Sequence, residues 1–237
     1  GEIIETEALT AEMSKLMENT YRDVNIALAN ELVKISRKLG VNAHDVIQLA
    51  NKHPRVNIHM PGPGVGGHCL AVDPYFIVEK AEEEAKIIKL ARETNASMPR
   101  FVVQHVDLLL SEIDNPKIAV FGLAYKGNID DYRESPAVEI YNMLRNNERY
   151  EIHVFEPHIK QENINIPLNS FEESITNADL ILILTDHNEF KKLDFNILSA
   201  KMRHSVIFDT RNCIQTNPSN EIIVYKIGDL GKIKPIL

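Results

Sequence analysis

A glycine-rich stretch with one cysteine carries the residues of this chain that best fit covalent chemistry. It runs Pro61-Gly-Pro-Gly-Val-Gly-Gly-His-Cys69-Leu-Ala-Val-Asp73. Cysteine reacts as the thiolate, which nearby positive charge or hydrogen-bond donors favour. Asp73 follows four residues later, on the same face if the segment is helical, where a carboxylate can orient water or act as a base. The stretch therefore favours a catalytic cysteine, with a buried, inert thiol as the alternative.

The glycines of this stretch match the dinucleotide-binding pattern GxGxxG at Gly62, Gly64 and Gly67. That pattern requires a strand before it and a helix after it. Pro61 and Pro63 interrupt the stretch, and a cysteine follows it. We therefore expect the glycines to let the backbone approach a ligand closely, instead of holding a dinucleotide.

Several potential metal ligands lie in the same region, namely His53, His59, His68, Cys69 and Asp73. Their spacing fits none of the usual zinc patterns. No metal site is predicted, and a metal-dependent hydrolase is kept as a rival hypothesis.

Upstream, Lys15, Asn19 and Arg22 recur at helical spacing on one face. Such a row is either a solvated polar stripe or a set of donors directed at a developing oxyanion.

A second polar segment, Phe121-Gly-Leu-Ala-Tyr-Lys126-Gly-Asn-Ile-Asp130-Asp-Tyr-Arg133, follows an apolar run. It is not a Walker A loop, because Lys126 precedes the glycine. In open α/β sheets, ligands bind at the carboxyl ends of strands, and Lys126 and Arg133 would suit an anion such as a diphosphate. Arg211 ends another apolar run and could join them. The alternative is a set of surface ion pairs.

The elements that must position these residues begin with one long predicted helix over residues 10–39. Thr10 is its expected N-cap and Gly40 its end. A helix of about 45 Å suits a connecting or dimer-forming role. Shorter helices are predicted over 43–51, 75–94 and 100–111, the last two separated by a linker over 95–99.

After Asp114-Asn-Pro116 the pattern changes to apolar runs alternating with helices. Strands are predicted at 117–123, 151–155, 178–185 and 205–209, and a helix at 135–146. Such alternation predicts a parallel sheet. The expected fold class is therefore α/β, with a helical domain over 1–114 and a Rossmann-like α/β domain over 115–237.

The composition excludes several classes of protein. The chain has 237 residues and a formal net charge of −8, which argues against a general nucleic-acid or anionic-membrane surface. Its two cysteines, Cys69 and Cys213, cannot form a disulfide framework, which favours a reducing, cytoplasmic compartment. No apolar run approaches the roughly 20 residues of a membrane span. The first residue is Gly1 and not Met, which favours a piece excised from a longer protein.

Four stretches, in this order, resemble the UDP-glucose/GDP-mannose dehydrogenase family, and together they extend over nearly the whole chain. They lie at residues 15–32, 53–76, 121–137 and 208–212. The resemblance implies a central helical dimerisation domain and a C-terminal UDP-binding domain. Family members carry an N-terminal NAD-binding domain before the long helix, and this chain shows no counterpart. We therefore expect NAD to bind mainly outside this chain, which alone would be inactive.

The form His-Cys-Leu-Ala-Val-Asp-Pro resembles the branch of the family that oxidises UDP-N-acetylhexosamines for polysaccharide biosynthesis. The UDP-glucose branch usually has lysine where this chain has Val72. UDP-N-acetyl-D-mannosamine is the substrate that the resemblance favours, with UDP-N-acetylglucosamine as the alternative. A non-catalytic UDP-sugar-binding module is kept as a different class of function.

The resemblance also implies roles for individual residues in a four-electron oxidation of the sugar C6 hydroxyl. Cys69 would form a thiohemiacetal and then a thioester, Lys15 and Asn19 would stabilise the oxyanion, and Asp73 would assist proton transfer or orient water. The implied substrate-binding residues are Arg55, His59, Gly66, Lys126 and Arg133. Arg55 would reach the substrate site of a partner in a homodimer formed through the helix over 10–39. Arg211 would contact the NAD cofactor or make an inter-domain contact.

Overall fold

The computed structural model describes residues 3–215 and 222–236. Five helices come first: α1 (Ala8–Leu39), α2 (Ala43–Ala50), α3 (Asp73–Lys80), α4 (Lys86–Ala96) and α5 (Met98–Leu109). The remaining elements are β1 (Lys117–Phe121), α6 (Pro136–Arg145), β2 (Glu151–Phe155), α7 (Phe171–Ile175), β3 (Leu180–Ile183), α8 (Phe195–Lys201), β4 (Val206–Asp209) and β5 (Ile223–Lys226).

The five strands form one parallel sheet in the order β2-β1-β3-β4-β5. The predicted α/β class is therefore confirmed. Strand β1 is buried along its whole length because both faces of the sheet are covered. Ile118 and Val120 belong to the core on one face, and Ala119 and Phe121 to the core on the other.

Helix α5 joins the helical part of the chain to the sheet. Its Val102, Val106 and Leu109 are fully buried in the same core as Ile140 and Leu144 of α6. The segment before residue 114 thus supplies part of the sheet's own core. The division at 114/115 stays a prediction.

Helix α1 has 32 residues, about 48 Å, and ends where the sequence predicts. Gly40 has a φ of 69°, and its N–H caps the helix by donating to the Ser36 carbonyl. The prediction of Thr10 as N-cap was wrong: the helix begins at Ala8 after Glu7, whose side chain makes no capping bond. Within the described residues, no helix combines the length and apolar character needed to cross a membrane.

The buried face of α1 is unusually polar. Asp23 is completely buried and accepts a hydrogen bond from Arg92 of α4 at 2.5 Å. Asn95 Nδ2 also donates to Asp23 Oδ1, at 2.8 Å, and Asn30 donates to Asn95 at 2.9 Å. Burial raises the pKa of Asp23, and the Arg92 guanidinium opposes that rise. This network holds α1 against α4.

Three element predictions differ from the structure. The helix predicted over 75–94 is two helices, because Ala81 leaves helical geometry at φ −144° and ψ 53°. The linker predicted over 95–99 is reduced to Ser97, because Pro99 lies in the first turn of α5, where proline is tolerated. Strand β5 was not predicted.

Removing the positive partner of the buried pair should destabilise the fold strongly. Arg92→Met leaves the Asp23 carboxylate buried without its cation, and we expect the free energy of unfolding to fall by about 3–5 kcal/mol. Urea denaturation measures this change. Lys89→Met is the matched control, because Lys89 pairs with Glu82 at 3.1 Å on the surface. That variant should change stability by about 1 kcal/mol or less; equal effects of the two substitutions would contradict the account.

Candidate functional site

A cavity of about 590 Å³ lies between α1, the glycine-rich loop and the carboxyl ends of the strands. It opens at the ends of β1 and β3. The strand order reverses direction between these two strands, and ligands usually bind at such a point in open α/β sheets. Six of the ten predicted site residues line it: Asn19, His59, Gly66, Cys69, Lys126 and Arg211.

The glycine-rich loop lies directly on the turn that follows β1. A Cβ atom on Gly66 would overlap the Glu134 carbonyl oxygen, so a larger residue would displace the loop. Gly67 has a φ of 87°, and a Cβ there would come within 2.9 Å of the Tyr125 ring. Glycine at these two positions lets the loop approach close enough to form one wall of the cavity.

Cys69 is exposed at the cavity wall in the turn that leads into α3. The Asp73 N–H donates to the Cys69 carbonyl at 2.8 Å and closes this turn. Asn19 Nδ2 of α1 donates to Asp73 Oδ2 at 2.6 Å. The bond between α1 and α3 therefore fixes Asp73 next to the cysteine turn, although Asp73 itself does not line the cavity.

The second thiol, Cys213, has a different environment. It follows β4 in the chain and is buried, and burial raises its pKa to about 12, with Asp209 and Asp186 adding to the effect. A thiol so hard to ionise does not serve as a nucleophile. Cys69 is therefore the candidate nucleophilic thiol at this site.

His59 lies on the α1 side of the cavity. Asn25 Oδ1 accepts from the His59 N–H at 2.8 Å, and Asn25 Nδ2 donates to the Asn57 carbonyl at 3.0 Å. Burial lowers the pKa of His59, and the nearby Arg22 lowers it further. The ring is thereby favoured in its neutral form, beside a cation that also lines the cavity.

Lys126 lies in the turn after β1 and reaches the cavity from the sheet side. Its ammonium group makes no hydrogen bond or ion pair with any residue that the structure describes. It is therefore available to an anionic ligand.

Asp186 is a cavity residue that sequence reasoning missed. It follows β3, and its Oδ1 accepts from the Gly127 N–H at 3.1 Å and from Arg211 at 3.1 Å. Burial opposes its ionisation, but the Arg211 guanidinium and backbone N–H donors together hold the pKa of Asp186 below its usual value. Its position in the sequence could have identified Asp186 as a site residue. It comes immediately after an apolar run, at the strand ends where Lys126 and Arg211 are expected.

Three further predicted residues also lie outside the cavity wall. Lys15 is exposed and pairs with Glu18 at 3.0 Å on its own helix. Arg55 is exposed in the segment after α2. Arg133 lies in a neighbouring cleft and makes a two-pronged bond with Asp131, whose pKa it lowers to about 2. The structure therefore separates Arg133 from Lys126.

One cluster in the described part of the chain has metal-binding composition, formed by His158, His187 and Glu189. His187 Nδ1 accepts from the Asn128 N–H at 2.9 Å, so its proton lies on Nε2, which faces Glu156 at 3.2 Å. With both ring nitrogens already engaged, His187 is a poor ligand for a cation.

Known proteins resemble this chain over nearly its whole length. A UDP-N-acetyl-D-mannosamine dehydrogenase of Methanocaldococcus jannaschii is 48% identical over 97% of the chain and 54% of that protein. An NDP-N-acetyl-D-galactosaminuronic acid dehydrogenase of Ralstonia nicotianae is 48% identical over 89% of the chain and 50% of that protein. The chain spans about half the length of the curated relatives it matches.

The fold has close solved counterparts. The structure of a UDP-N-acetyl-mannosamine dehydrogenase from S. aureus matches 98% of the chain and 55% of its own length, with a TM-score of 0.89 and 51% identity. The family's central-domain model matches residues 9–97, and its UDP-binding-domain model matches 119–216. These two matches include most of α1, the cysteine turn and the Lys126 turn. The chain belongs to the UDP-glucose/GDP-mannose dehydrogenase family.

Proposed function

We propose that the whole protein is an NAD-dependent dehydrogenase that oxidises the C6 hydroxyl of UDP-N-acetyl-D-mannosamine to the carboxylate of UDP-N-acetyl-D-mannosaminuronate. The observation that carries the proposal is one cavity lined both by an exposed thiol, Cys69, and by Lys126, whose ammonium group pairs with no residue that the structure describes. The names of the relatives support the choice of sugar. UDP-N-acetylglucosamine is the alternative substrate.

The two groups that line the cavity, the Lys126 ammonium and the Cys69 thiol, suit the diphosphate and the sugar of such a substrate. The diphosphate binds near Lys126, at the strand ends where phosphates usually lie in α/β sheets. The hexosamine then extends towards the glycine-rich loop and Cys69. The neutral ring of His59 and the guanidinium of Arg22 line the α1 side, where they can donate to sugar or phosphate oxygens.

Cys69 supplies the covalent chemistry. Loss of a proton and a hydride from the C6 alcohol leaves an aldehyde. A bond between Cys69 Sγ and C6 then forms, the oxygen takes a proton, and a thiohemiacetal results. Loss of a second hydride and the hydroxyl proton leaves a thioester. Water attacks this carbonyl, the S–C6 bond breaks, and the acid and the free thiol are released. A reducing, cytoplasmic compartment would keep the thiol available.

Asp73, Asn19 and Lys15 assist these steps in the proposal. Asn19 holds the Asp73 carboxylate beside the cysteine turn, where it can orient the hydrolytic water. The amide of Asn19 lines the cavity and can also donate to the oxyanion that forms at C6. Lys15 lies one helical turn before Asn19 and can join it by leaving Glu18, its surface partner.

NAD, when it is bound, accepts the hydride. Among the described residues, we find few that could contact this cofactor. In the Rossmann-like sheet, the turn after β1 is the usual place for a dinucleotide phosphate. Here the N–H groups of Leu123 and Ala124 already donate to Glu156, at 2.7 and 3.2 Å, so these two donors are not available to a dinucleotide phosphate. Arg211 at the cavity edge remains as a cation that can meet the cofactor.

A homodimer through α1 is part of the proposal. Leu28, Ile35 and Leu39 recur at intervals of seven and four residues and are 57%, 45% and 70% exposed. An apolar row of this kind on a long helix is typical of a helix–helix interface. Arg55 lies outside the cavity of its own chain, which leaves it available to the site of a partner.

Binding of the nucleotide sugar should depend on Lys126. We expect residues 1–237 to bind UDP-N-acetyl-D-mannosamine in a calorimetric titration without NAD. Lys126→Ala should weaken this binding by about tenfold or more, because a charge-assisted contact with the diphosphate is lost.

Arg133→Ala is the matched control for Lys126→Ala. It removes a cation of the same segment that is bound to Asp131 and lies outside the cavity. We expect its affinity to stay within about threefold of the wild type. Equal losses in both variants would show that the general charge of the segment, and not the cavity, binds the nucleotide.

Replacing Cys69 should stop the reaction between its two oxidations. In the complete gene product, Cys69→Ala should reduce uronate formation by about a thousandfold or more. Any turnover should yield about one NADH per sugar instead of two. Absorbance at the NADH band, combined with product analysis, measures this ratio.

The chain offers a second cysteine as the control for this experiment. Cys213→Ala should keep the two-to-one ratio, because that thiol is buried and does not line the cavity. Unchanged uronate formation in Cys69→Ala would refute covalent catalysis. A wild-type protein that binds the sugar and never oxidises it would favour the non-catalytic module.

The dimer depends on the apolar row of α1. We expect light scattering to give a dimer for the wild type and a monomer for Leu28→Glu/Leu39→Glu, because two charges per chain would be buried in the interface. Leu9→Glu/Leu90→Glu, with two other exposed leucines, is the control and should remain dimeric. A wild-type monomer at micromolar concentration would contradict this part of the proposal.

A further inference from the structure

We infer that residues 186–188, which follow β3, form a clamp that holds the Lys126 turn, and that His187 is a positioning residue for Lys126. The inference rests on the proposed role of Lys126 as a ligand of the UDP-sugar. The clamp would keep the Lys126 ammonium group at the cavity, although this group makes no hydrogen bond or ion pair with the described residues.

Each residue of the clamp makes one hydrogen bond to the turn. Asp186 Oδ1 accepts from the Gly127 N–H at 3.1 Å, and His187 Nδ1 accepts from the Asn128 N–H at 2.9 Å. The Asn188 N–H donates to Asn128 Oδ1 at 2.9 Å. Three consecutive residues of one segment therefore fix the two residues that follow Lys126.

The turn needs such support because of its backbone geometry. Asn128 has a φ of 62°, in the left-handed region, which asparagine adopts more readily than other non-glycine residues but still infrequently. A Cβ on Gly127 would come within 2.9 Å of the Asp186 carbonyl carbon, which leaves no room between the turn and the clamp. Contacts with the clamp thus select a conformation that the turn would not hold strongly by itself.

His187 is the buried member of the clamp, and its tautomer is fixed from both sides. It is completely buried. The Asn128 N–H requires a lone pair on Nδ1, and Nε2 therefore carries the proton and donates it towards Glu156. Only this neutral tautomer makes both bonds.

Glu156 is itself held rigidly. Its carboxylate accepts from the N–H groups of Leu123 and Ala124, and from the His158 N–H at 2.8 Å. Burial disfavours its charge, but His187 and these backbone donors keep its pKa below the usual value. The end of β2 therefore orients His187, and His187 orients the turn after β1.

The consequence for binding is preorganisation. A turn that is already ordered loses less conformational freedom when an anion binds to its lysine. Asp186 extends the same clamp to Arg211, so Lys126 and Arg211 are positioned by one segment. Loss of the Nδ1 acceptor should therefore weaken nucleotide binding although His187 touches no ligand.

Two polar substitutions at His187 distinguish the roles of its two ring nitrogens. His187→Asn places a carboxamide oxygen near the position of Nδ1 and retains an acceptor for the Asn128 N–H. His187→Gln places its carboxamide near Nε2, retains the contact with Glu156 and leaves Asn128 without an acceptor. We expect UDP-N-acetyl-D-mannosamine to bind about tenfold more weakly to His187→Gln and within about threefold of wild type to His187→Asn.

Amide hydrogen exchange gives a readout that does not depend on ligand binding. The Asn128 N–H should exchange faster in His187→Gln than in His187→Asn, while the amides of β1 and β3 stay protected in both. His153→Gln, at a partly buried histidine of β2 away from the clamp, is the control and should change neither measurement. Equal affinity and equal Asn128 exchange in the two His187 variants would overturn the inference.

Nitrogen-15 NMR of the wild-type His187 ring tests the clamp even if a variant does not fold. A proton on Nε2 and none on Nδ1 supports the clamp, and a proton on Nδ1 refutes it. Failure of the wild type to bind the UDP-sugar would refute the proposed function, while the exchange and tautomer measurements would still decide whether the clamp exists.

Discussion

The close packing of the glycine-rich loop on the sheet is the contact on which the rest of the site depends. The loop comes from the helical half of the chain, and the turns it meets come from the α/β half. At Gly66 and Gly67 the two backbones approach so closely that a Cβ would meet Glu134 or Tyr125. This approach brings Cys69 to the same cavity as Lys126, although 56 residues separate them in the sequence.

A polar interior supports this contact from the helical side. Asn30, in the middle of α1, accepts from the Gly62 N–H at 2.9 Å and donates to Asn95, which is bonded to Asp23. The loop is thereby attached to the same buried network that joins α1 to α4. Such a network is stabilising only when its members are paired, so it favours one position of the loop over its alternatives. Asn19 adds a separate bond from α1 to Asp73.

Local sequence patterns were sufficient to predict the fold class, most of the strands and part of the site. The apolar runs predicted four of the five strands and the α/β class, and Gly40 predicted the end of α1. Because ligands bind at the carboxyl ends of strands in open α/β sheets, Lys126 and Arg211 were expected at the edge of the sheet where the cavity lies. What could not be predicted depends on contacts between distant segments. The bonds of Asp186 to Gly127 and Arg211 join segments far apart in sequence, and residue spacing does not reveal them. The pairing of Arg133 with Asp131, two residues before it, is local and agrees with the surface ion pairs that the sequence left open as an alternative.

In the proposal, one cavity holds both the nucleotide and the reacting carbon. A crystal structure of residues 1–237 with UDP-N-acetyl-D-mannosamine would show whether it does. We expect the diphosphate beside Lys126 and the sugar C6 within about 3.5 Å of Cys69 Sγ, the separation expected of reacting atoms. A nucleotide bound in the cleft of Arg133, or a C6 atom directed away from Cys69, would contradict it.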